Sequence, residues 1–289
     1  MKHYCYAALL LILPLLIYHR DYDLISETKF AYLRVRHHGV LHPFLAGGGR
    51  LGNKIFQNFV VSWLAERYNL RAHYEYSPQC ASLGLQFFDT GERLQEGPEV
   101  LLTSGLLREL LQRPAGAALA NTLVLSEQYY QEAWVAQRLL RAELPAQRLR
   151  VQQANPYRAR YGANNDTIIH LRLGDLPYPA ALEQYTAALQ AVGSAGRGGR
   201  VYITSDSREH AMVKALSARL GGASEVLDLE EVRTLQFAST CRFLVLSEGT
   251  FSWLMGALAF GAENITYATT HLRWFGTEIF PPEWKSFLV

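Results

Sequence analysis

The chain has 289 residues, of which 49% are hydrophobic and 19% are charged, and its formal net charge is +2. This composition is typical of a globular protein with one large or two modest cores, and it excludes a disordered chain. The small net charge does not indicate a nucleic-acid-binding protein, and it does not oppose a small anionic ligand. Cys5, Cys80 and Cys241 stand too far apart for a zinc motif, which leaves Cys80 and Cys241 as one candidate disulfide.

An apolar run over residues 4–18 follows Lys2 and His3. The run is shorter than the ~20 residues of a typical membrane span, and no small-residue cleavage site follows it. We predict an uncleaved signal anchor, with a cleaved leader and a buried core helix as the alternatives. Residues 19–43 carry mixed charge, and His37, His38 and His42 lie close together without nearby carboxylates, which indicates a stem rather than a metal site.

A glycine-rich turn, G-G-G-R-L-G-N-K-I-F-Q, occupies residues 47–57. It lies between a short predicted strand at 43–46 and a predicted helix at 53–68, where backbone N–H groups and the helix dipole favour an anion or a polar ligand. Gly47, Gly49 and Gly52 also satisfy G-x-G-x-x-G, and Glu75 stands where a dinucleotide-binding protein carries an acidic residue. A nicotinamide-binding site and a turn that needs glycine for backbone reasons alone are therefore both open alternatives.

The stretch from 77 to 160 is less informative. Helical periodicity appears at 106–111 and 132–144, with a short strand at 123–125 between them. The basic, proline-punctuated segment 141–160 is the predicted crossover between two domains.

A buried parallel strand is predicted where residues 167–176 read T-I-I-H-L-R-L-G-D-L. The strand ends in His170, Arg172 and Asp175, and open α/β sheets bind ligands at the carboxyl ends of their strands. The guanidinium of Arg172 suits a phosphate oxygen. A surface salt bridge at the strand end is the alternative for Arg172.

Two later strands repeat this pattern. A helix is predicted at 178–192 and a turn at 193–199, and V-Y-I-T-S-D-S at 201–207 follows as a second strand. This strand ends in Asp206. Its carboxylate either accepts hydrogen bonds from a base or ribose or caps a helix that starts near Arg208. F-L-V-L at 243–246 leads to Ser247, Thr250 and Ser252 ahead of a helix at 253–260, and hydroxyl and N–H groups there make a phosphate seat. Together the three strand ends predict a pocket for a nucleoside diphosphate.

The sequence offers little support for metal-dependent chemistry or for a P-loop enzyme. No G-x-x-x-x-G-K-[ST] is present, and Asp21 and Asp23 form the single Asp-x-Asp, far from any predicted strand. We therefore expect neither a metal nor another cofactor, and a leaving diphosphate would be neutralised by arginine and N–H donors.

Taken in order, these stretches resemble the α-1,2-fucosyltransferase family (glycosyltransferase family 11). G-G-R-L-G-N-K-I-F-Q is similar to the family's G-G-[RL]-G-N-Q-M-F-Q, and I-I-H-L-R-L-G-D is similar to V-H-x-R-R-G-D. V-Y-I-T-S-D-S resembles a family strand ending in S-D, and L-S-E-G-T-F-S-W-L-M-G-A-L resembles S-N-S-T-F-S-W-W-x-A-W-L. A closing W-F-G…F-P-P-E-W extends the resemblance, which spans residues 47 to about 284.

The resemblance implies a GT-B-like α/β fold, in which two Rossmann-like domains face a cleft. The predicted segments are a cytoplasmic tail at 1–3, a signal anchor at 4–18, a stem at 19–43, an acceptor-side domain at 44–155 and a donor-binding domain at 156–289. The implied location is the Golgi membrane, single-pass type II, with a lumenal catalytic domain. Expected partners are GDP-fucose, a galactose-terminated glycan and the membrane, without nucleic acid, and a homodimer is compatible with this prediction.

The resemblance also implies residue roles in moving fucose, with inversion, to the 2-hydroxyl of a terminal β-galactose. Arg172 would neutralise the β-phosphate, and Asn53 would hold fucose or the acceptor from the opposite domain. The donor-contacting set is His170, Arg172, Asp175, Asp206, Thr250, Phe251 and Ser252. Asn165 and Asn264 begin N-x-T triplets and are predicted glycosylation sites if the body is lumenal.

Four positions depart from the family pattern. Leu173 replaces its second arginine, Glu248 and Gly249 replace Asn-Ser, and Lys54 replaces a glutamine. Three alternatives stay open. One is another GDP-fucose-dependent transfer to a protein or core sugar, and the second is a catalytically silent carbohydrate-binding protein, which Leu173 and Glu248 suggest. The third is an NAD-dependent oxidoreductase built on Gly47–Gly52. No general base is assigned from the sequence.

Overall fold

The structure, a computed structural model, describes residues 32–34, 50–68, 71–73, 78–87, 99–115, 122–125, 129–175, 179–192, 198–269 and 279–288. The predicted anchor at 4–18, most of the stem, Gly47, Gly49 and Glu75 lie outside these ranges. Among the helices within them, none is long and apolar enough to cross a membrane.

The chain divides into two compact units. The first contains a four-stranded sheet in the order β2-β1-β4-β3, and every neighbouring pair of its strands is parallel. The strands are β1 (Tyr32–Arg34), β2 (Arg71–His73), β3 (Glu99–Leu102) and β4 (Thr122–Leu125). The long helix α1 (Leu51–Tyr68) belongs to this unit from Gln57 onward, as does α3 (Ser104–Gln112), whose first turn is capped by the Thr103 hydroxyl.

The second unit includes Gly49–Phe56, Ser77–Gln86 and Tyr130–Val289. Its six-stranded sheet is made of β5 (Thr167–Leu171), β6 (Val201–Ser205), β7 (Ser224–Val226), β8 (Phe243–Leu246), β9 (Asn264–Thr269) and β10 (Lys285–Leu288). Its helices are the beginning of α1, α2 (Pro78–Ser82), α4 (Ala133–Arg138), α5 (Leu144–Ala154), α6 (Leu182–Ala191), α7 (Ala211–Leu220), α8 (Glu231–Ala238) and α9 (Thr250–Ala257).

The strand order of the second sheet is β7-β6-β5-β8-β9-β10, and all five pairings are parallel. This is the doubly wound 3-2-1-4-5-6 order of the Rossmann fold, and the order reverses between β5 and β8. All residues of β5 and β8 are buried, as expected for the centre of a parallel sheet covered on both faces. Ligands of such sheets bind outside the carboxyl ends of the two strands at this switch point.

The predicted α/β class and the parallel arrangement of strands are confirmed. Two helices begin at residues other than those predicted. The helix after β8 begins at Thr250 rather than residue 253, and the helix after β6 begins at Ala211 rather than near Arg208. The predicted crossover at 141–160 is largely helical, because a π-helical turn (Leu139–Glu143) joins α4 to α5. The predicted domain bounds and their arrangement around a cleft stay predictions.

The candidate disulfide does not form. Cys80 and Cys241 are both buried as thiols, and burial raises the pKa of the Cys241 thiol to about 12. Cys241 therefore behaves as a small apolar core residue.

Candidate functional site

Arg172 follows β5 at the switch point and lies mostly buried, with 15% of its side chain exposed. Its guanidinium donates from Nε to Asp175 Oδ1 at 2.7 Å and from Nη2 to Asp175 Oδ2 at 2.9 Å. These two parallel bonds are the bidentate geometry that a guanidinium makes with a carboxylate or with a phosphate. They also hold the pKa of Asp175 below its usual value, with the charges of Arg172 and Arg50 adding to the effect.

Arg50 brings a second guanidinium to the same place. It immediately precedes α1, donates to Asp175 Oδ2 and lies 3.6 Å from Asp206 Oδ2. With 49% of its side chain exposed, Arg50 reaches the site from the solvent side. No role was predicted for it, although it stands inside the glycine-rich motif and is its one cation ahead of the helix.

Asp206 shapes the loop that follows β5. Its Oδ1 accepts the backbone N–H groups of Leu173 and Gly174 at 2.7 and 3.1 Å. A Cβ on Gly174 would lie 3.1 Å from Asp206 Oδ2, so glycine lets the loop approach this closely. The alternative that Asp206 caps the following helix is wrong, because that cap is His210, whose Nδ1 accepts from Met212 N.

His170 lies behind the site, 4% exposed, in a buried polar cluster. Its Nδ1 is 2.6 Å from Ser252 Oγ and 3.0 Å from Ser247 Oγ, and the two hydroxyls are 3.1 Å apart. Burial lowers the pKa of His170 to about 4, and the charges of Arg172 and Arg50 act in the same direction. The imidazole is therefore neutral, and it joins the end of β5 to the first turn of α9.

The first turn of α9 lies beside Arg172 because residue 249 is glycine. Gly249 is the N-cap of the helix at φ +106°, and a Cβ there would collide with Arg172 Nη1. A side chain at this position would meet both backbone strain and a steric clash. The glycine that departs from the family pattern thus allows a guanidinium to sit at a helix N-terminus.

The first turn of α1 meets the first turn of α9. Asn53 Oδ1 accepts from Thr250 Oγ1 at 2.8 Å and from Gln131 Nε2 at 2.6 Å. A Cβ on Gly52 would lie 2.9 Å from Thr250, so glycine sets how closely the two helices approach. One turn further on, the rings of Phe56 and Trp253 pack 5.0 Å apart.

This arrangement suits an anion with several oxygens. Two helix N-termini present backbone N–H groups and partial positive charge, and Arg50 and Arg172 add two full positive charges. A guanidinium beside a helix N-terminus is unfavourable by itself, because both carry positive charge. Asp175 and Asp206 offset that repulsion through the contacts given above. A diphosphate would supply the same compensation through more oxygens.

The structure brings most of the predicted site residues together. His170, Arg172 and Asp175 lie at the end of β5, Asp206 follows β6, and Thr250, Phe251 and Ser252 form the first turn of α9, next to Asn53. The Ser252 and Ser247 hydroxyls are directed to His170, while the Phe251 ring lies 5.4 Å from the imidazole. Asn53 interacts with Thr250 and Gln131, and no sequence pattern had indicated Gln131.

Leu173, where the resemblance would have placed a second arginine, packs in the core. It is 9% exposed and belongs to the apolar cluster with Leu171 and Ile203. The side chain at this position is therefore a core residue of the sheet, and the second cation of the site is Arg50.

The predicted glycosylation triplets lie at the other end of the sheet. Asn165 accepts from Arg242 Nη1 at 2.7 Å just before β5, and Asn264, the first residue of β9, donates to Val192 O at 3.3 Å. Both side chains are partly buried, and their modification stays a prediction. Within the described part of the chain, no group of three or more His, Cys, Asp or Glu side chains is placed to hold a metal ion.

Comparison with known proteins finds similarity among solved structures. No family model matches the sequence, and no curated protein matches it. The chain is similar to the structure of a mutant of Arabidopsis thaliana FUT1 in complex with GDP, at 12% identity and a TM-score of 0.45, over 86% of this chain and 73% of that one.

Proposed function

We propose that the protein is a GDP-fucose-dependent fucosyltransferase with a GT-B-like fold. The observation that carries the proposal is the meeting of two helix N-termini and two arginines, Arg50 and Arg172, at the switch point of a Rossmann-ordered sheet. Such a site holds a nucleoside diphosphate through backbone and guanidinium donors. The ordered sequence motifs that resemble α-1,2-fucosyltransferases supply the identity of the nucleotide and the sugar.

In the proposed reaction an acceptor hydroxyl attacks the anomeric carbon of fucose from the face opposite GDP. The new carbon–oxygen bond forms as the bond to the β-phosphate oxygen breaks, and the hydroxyl proton passes to water or to a carboxylate of the site. Negative charge grows on the departing diphosphate. Arg172 and the N–H groups at the start of α9 would stabilise that charge more in the transition state than in the ground state.

The finer proposal is that the acceptor is a terminal β-galactose and that the bond formed is α-1,2. Its support is the order of the five sequence motifs over residues 47–284. This finer proposal also includes a lumenal, Golgi-anchored location and a reaction without a metal or another cofactor. Within the donor site, Asp206 would address the nucleoside, because it follows the strand next to β5, where Rossmann proteins carry a ribose-binding acid.

The same position of Asp206 favours a second candidate, an NAD-dependent oxidoreductase. The glycine fingerprint of that class should follow the first strand of its sheet, which is β5 here. Residues 172–179 contain a single glycine, Gly174, and Asp206 already accepts its N–H. The dinucleotide alternative is therefore the weaker one.

The function is tested with the full-length protein in detergent, incubated with GDP-fucose and a set of glycans in the presence of a metal chelator. We expect transfer to β-galactosides, and fragmentation of the product should place fucose on the 2-hydroxyl. Transfer to a protein hydroxyl or to a core sugar would keep the donor assignment and overturn the acceptor. GDP-fucose binding without any transfer would favour a carbohydrate-binding protein.

A further inference from the structure

Asp175 stands in the middle of the site and interacts with both of its arginines. It accepts two hydrogen bonds from Arg172 and one from Arg50. The carboxylate is 36% exposed, so it lies at the mouth of the site rather than in the core. The two cations offered to a diphosphate are thus already engaged by one carboxylate of the same chain.

The bonds to Asp175 use the groups that a phosphate would need. Arg172 binds it with Nε and Nη2, the two donors of the guanidinium fork that match either a carboxylate or a phosphate. An ionised carboxylate has only acceptor atoms, so it cannot donate to a phosphate oxygen. At close range, the like charges of the carboxylate and the diphosphate repel each other.

We propose that Asp175 is an internal competitor of the donor diphosphate rather than one of its ligands. This inference rests on the proposed function and assigns Asp175 a role different from the donor contact that the sequence predicted. Asp175 holds Arg50 and Arg172 in place when no diphosphate engages them, and it recaptures them as GDP leaves. It therefore weakens GDP binding and speeds product release.

Removal of the Asp175 carboxylate should change GDP affinity, whereas removal of the carboxylate of an ordinary surface ion pair should not. Elsewhere in this unit, Arg242 pairs with Glu263 just before the first residues of β8 and β9, at the opposite end of the sheet from the site. Nε and Nη2 of Arg242 lie 2.7 and 2.6 Å from the same oxygen, Glu263 Oε2. Glu263→Gln removes one negative charge and one arginine–carboxylate pair, as Asp175→Asn does. It is the matched control, because it changes net charge equally and leaves Arg50 and Arg172 untouched.

The test measures GDP affinity and GDP dissociation rate by calorimetry and stopped flow, on the full-length protein and the two variants. Partly exposed charge pairs are modest in strength, so we expect Asp175→Asn to bind GDP about twofold to fivefold more tightly, mainly through slower dissociation. Glu263→Gln should bind GDP as the parent does. Asp175→Glu, which restores the carboxylate, should return the affinity toward that of the parent.

Three results would overturn the inference. The first is an unchanged GDP affinity in Asp175→Asn. The second is a weaker GDP affinity in Asp175→Asn, which would make Asp175 a donor ligand. The third is an equal gain of GDP affinity in Glu263→Gln, which would make the effect one of net charge. If Asp175→Asn does not fold, Asp175→Ser serves the same comparison. Failure of the parent itself to bind GDP would instead remove the proposed function on which the inference rests.

Discussion

At the scale of single residues, burial decides the chemistry of His170. Its Nδ1 interacts with Ser247 and Ser252, and its pKa is lowered to about 4. A neutral imidazole joins the end of β5 to α9 without adding a third positive charge beside Arg50 and Arg172. We infer that His170 positions the site from behind.

This environment predicts acid sensitivity of the second unit. The unfolded chain binds a proton on His170 near pH 6.5 and the folded chain near pH 4, so the unfolded state holds more protons between these values. The contribution to the free energy of unfolding is complete above pH 6.5 and is lost as the pH falls toward 4. A full shift of this size corresponds to about 3 kcal/mol.

The measurement is the free energy of unfolding by urea at several pH values from 7 to 4. His170→Asn should flatten the slope between pH 6.5 and 4. Folding lowers the pKa values of Asp175 and Glu209 from their usual 3.8 and 4.5. The stability that these two carboxylates contribute is therefore lost only as the pH falls below those usual values. An unchanged slope in His170→Asn would contradict a buried, neutral imidazole.

The sequence reveals residue types at strand ends better than it reveals their partners. His170, Arg172 and Asp206 were predicted because polar groups that end buried strands stand out from an apolar run. The contacts of Asp206 with Leu173 and Gly174, and of Arg172 with Gly249, depend on how two loops approach each other. No pattern in the sequence encodes that approach.

At the scale of elements, the site depends on the first turns of α1 and α9 staying in contact. Gly52 has Thr250 as its neighbour, and Asn53 bonds to the same threonine. Backbone N–H groups at two such helix starts can face one anion only while this spacing is kept.

Gly52→Ala tests that spacing. The added methyl would lie 2.9 Å from Thr250, so we expect a loss of about 1–3 kcal/mol in the free energy of unfolding, where glycine to alanine in a helix usually stabilises. GDP affinity should fall with it. The control is Gly222→Ala, in the short 3-10 turn after α7, where a Cβ meets nothing within 4 Å. Equal stability and GDP affinity in Gly52→Ala and the parent would show that the contact does not define the site.

Helix limits were predicted less well than strand ends, for a physical reason. The helix after β8 starts three residues before its predicted start, because Gly249 as N-cap replaces the expected hydroxyl signal. The helix after β6 starts later than predicted, because His210 rather than Asp206 supplies its cap.

At the scale of the whole molecule, the pattern of apolar residues in the sequence predicts β5, β6 and β8 of the second sheet. Mostly apolar runs at 167–171, 201–205 and 243–246 indicate parallel strands, and all three are present. The reversal of strand order between β5 and β8 is not predictable in this way, since it depends on which face each crossover covers. The reversal is what brings Arg172 and α9 to the same edge.

The most direct test of the central claim, that a diphosphate binds at this switch point, is titration of GDP into the full-length protein, Arg172→Ala and Arg242→Ala. Arg242 pairs with a carboxylate as Arg172 does, so it controls for the loss of one arginine that is held by a carboxylate. We predict binding of GDP by the parent and by Arg242→Ala, and binding weaker by about tenfold to hundredfold in Arg172→Ala, as for a charged hydrogen bond. Equal affinity in all three proteins, or binding of NAD in preference to GDP, would contradict the claim.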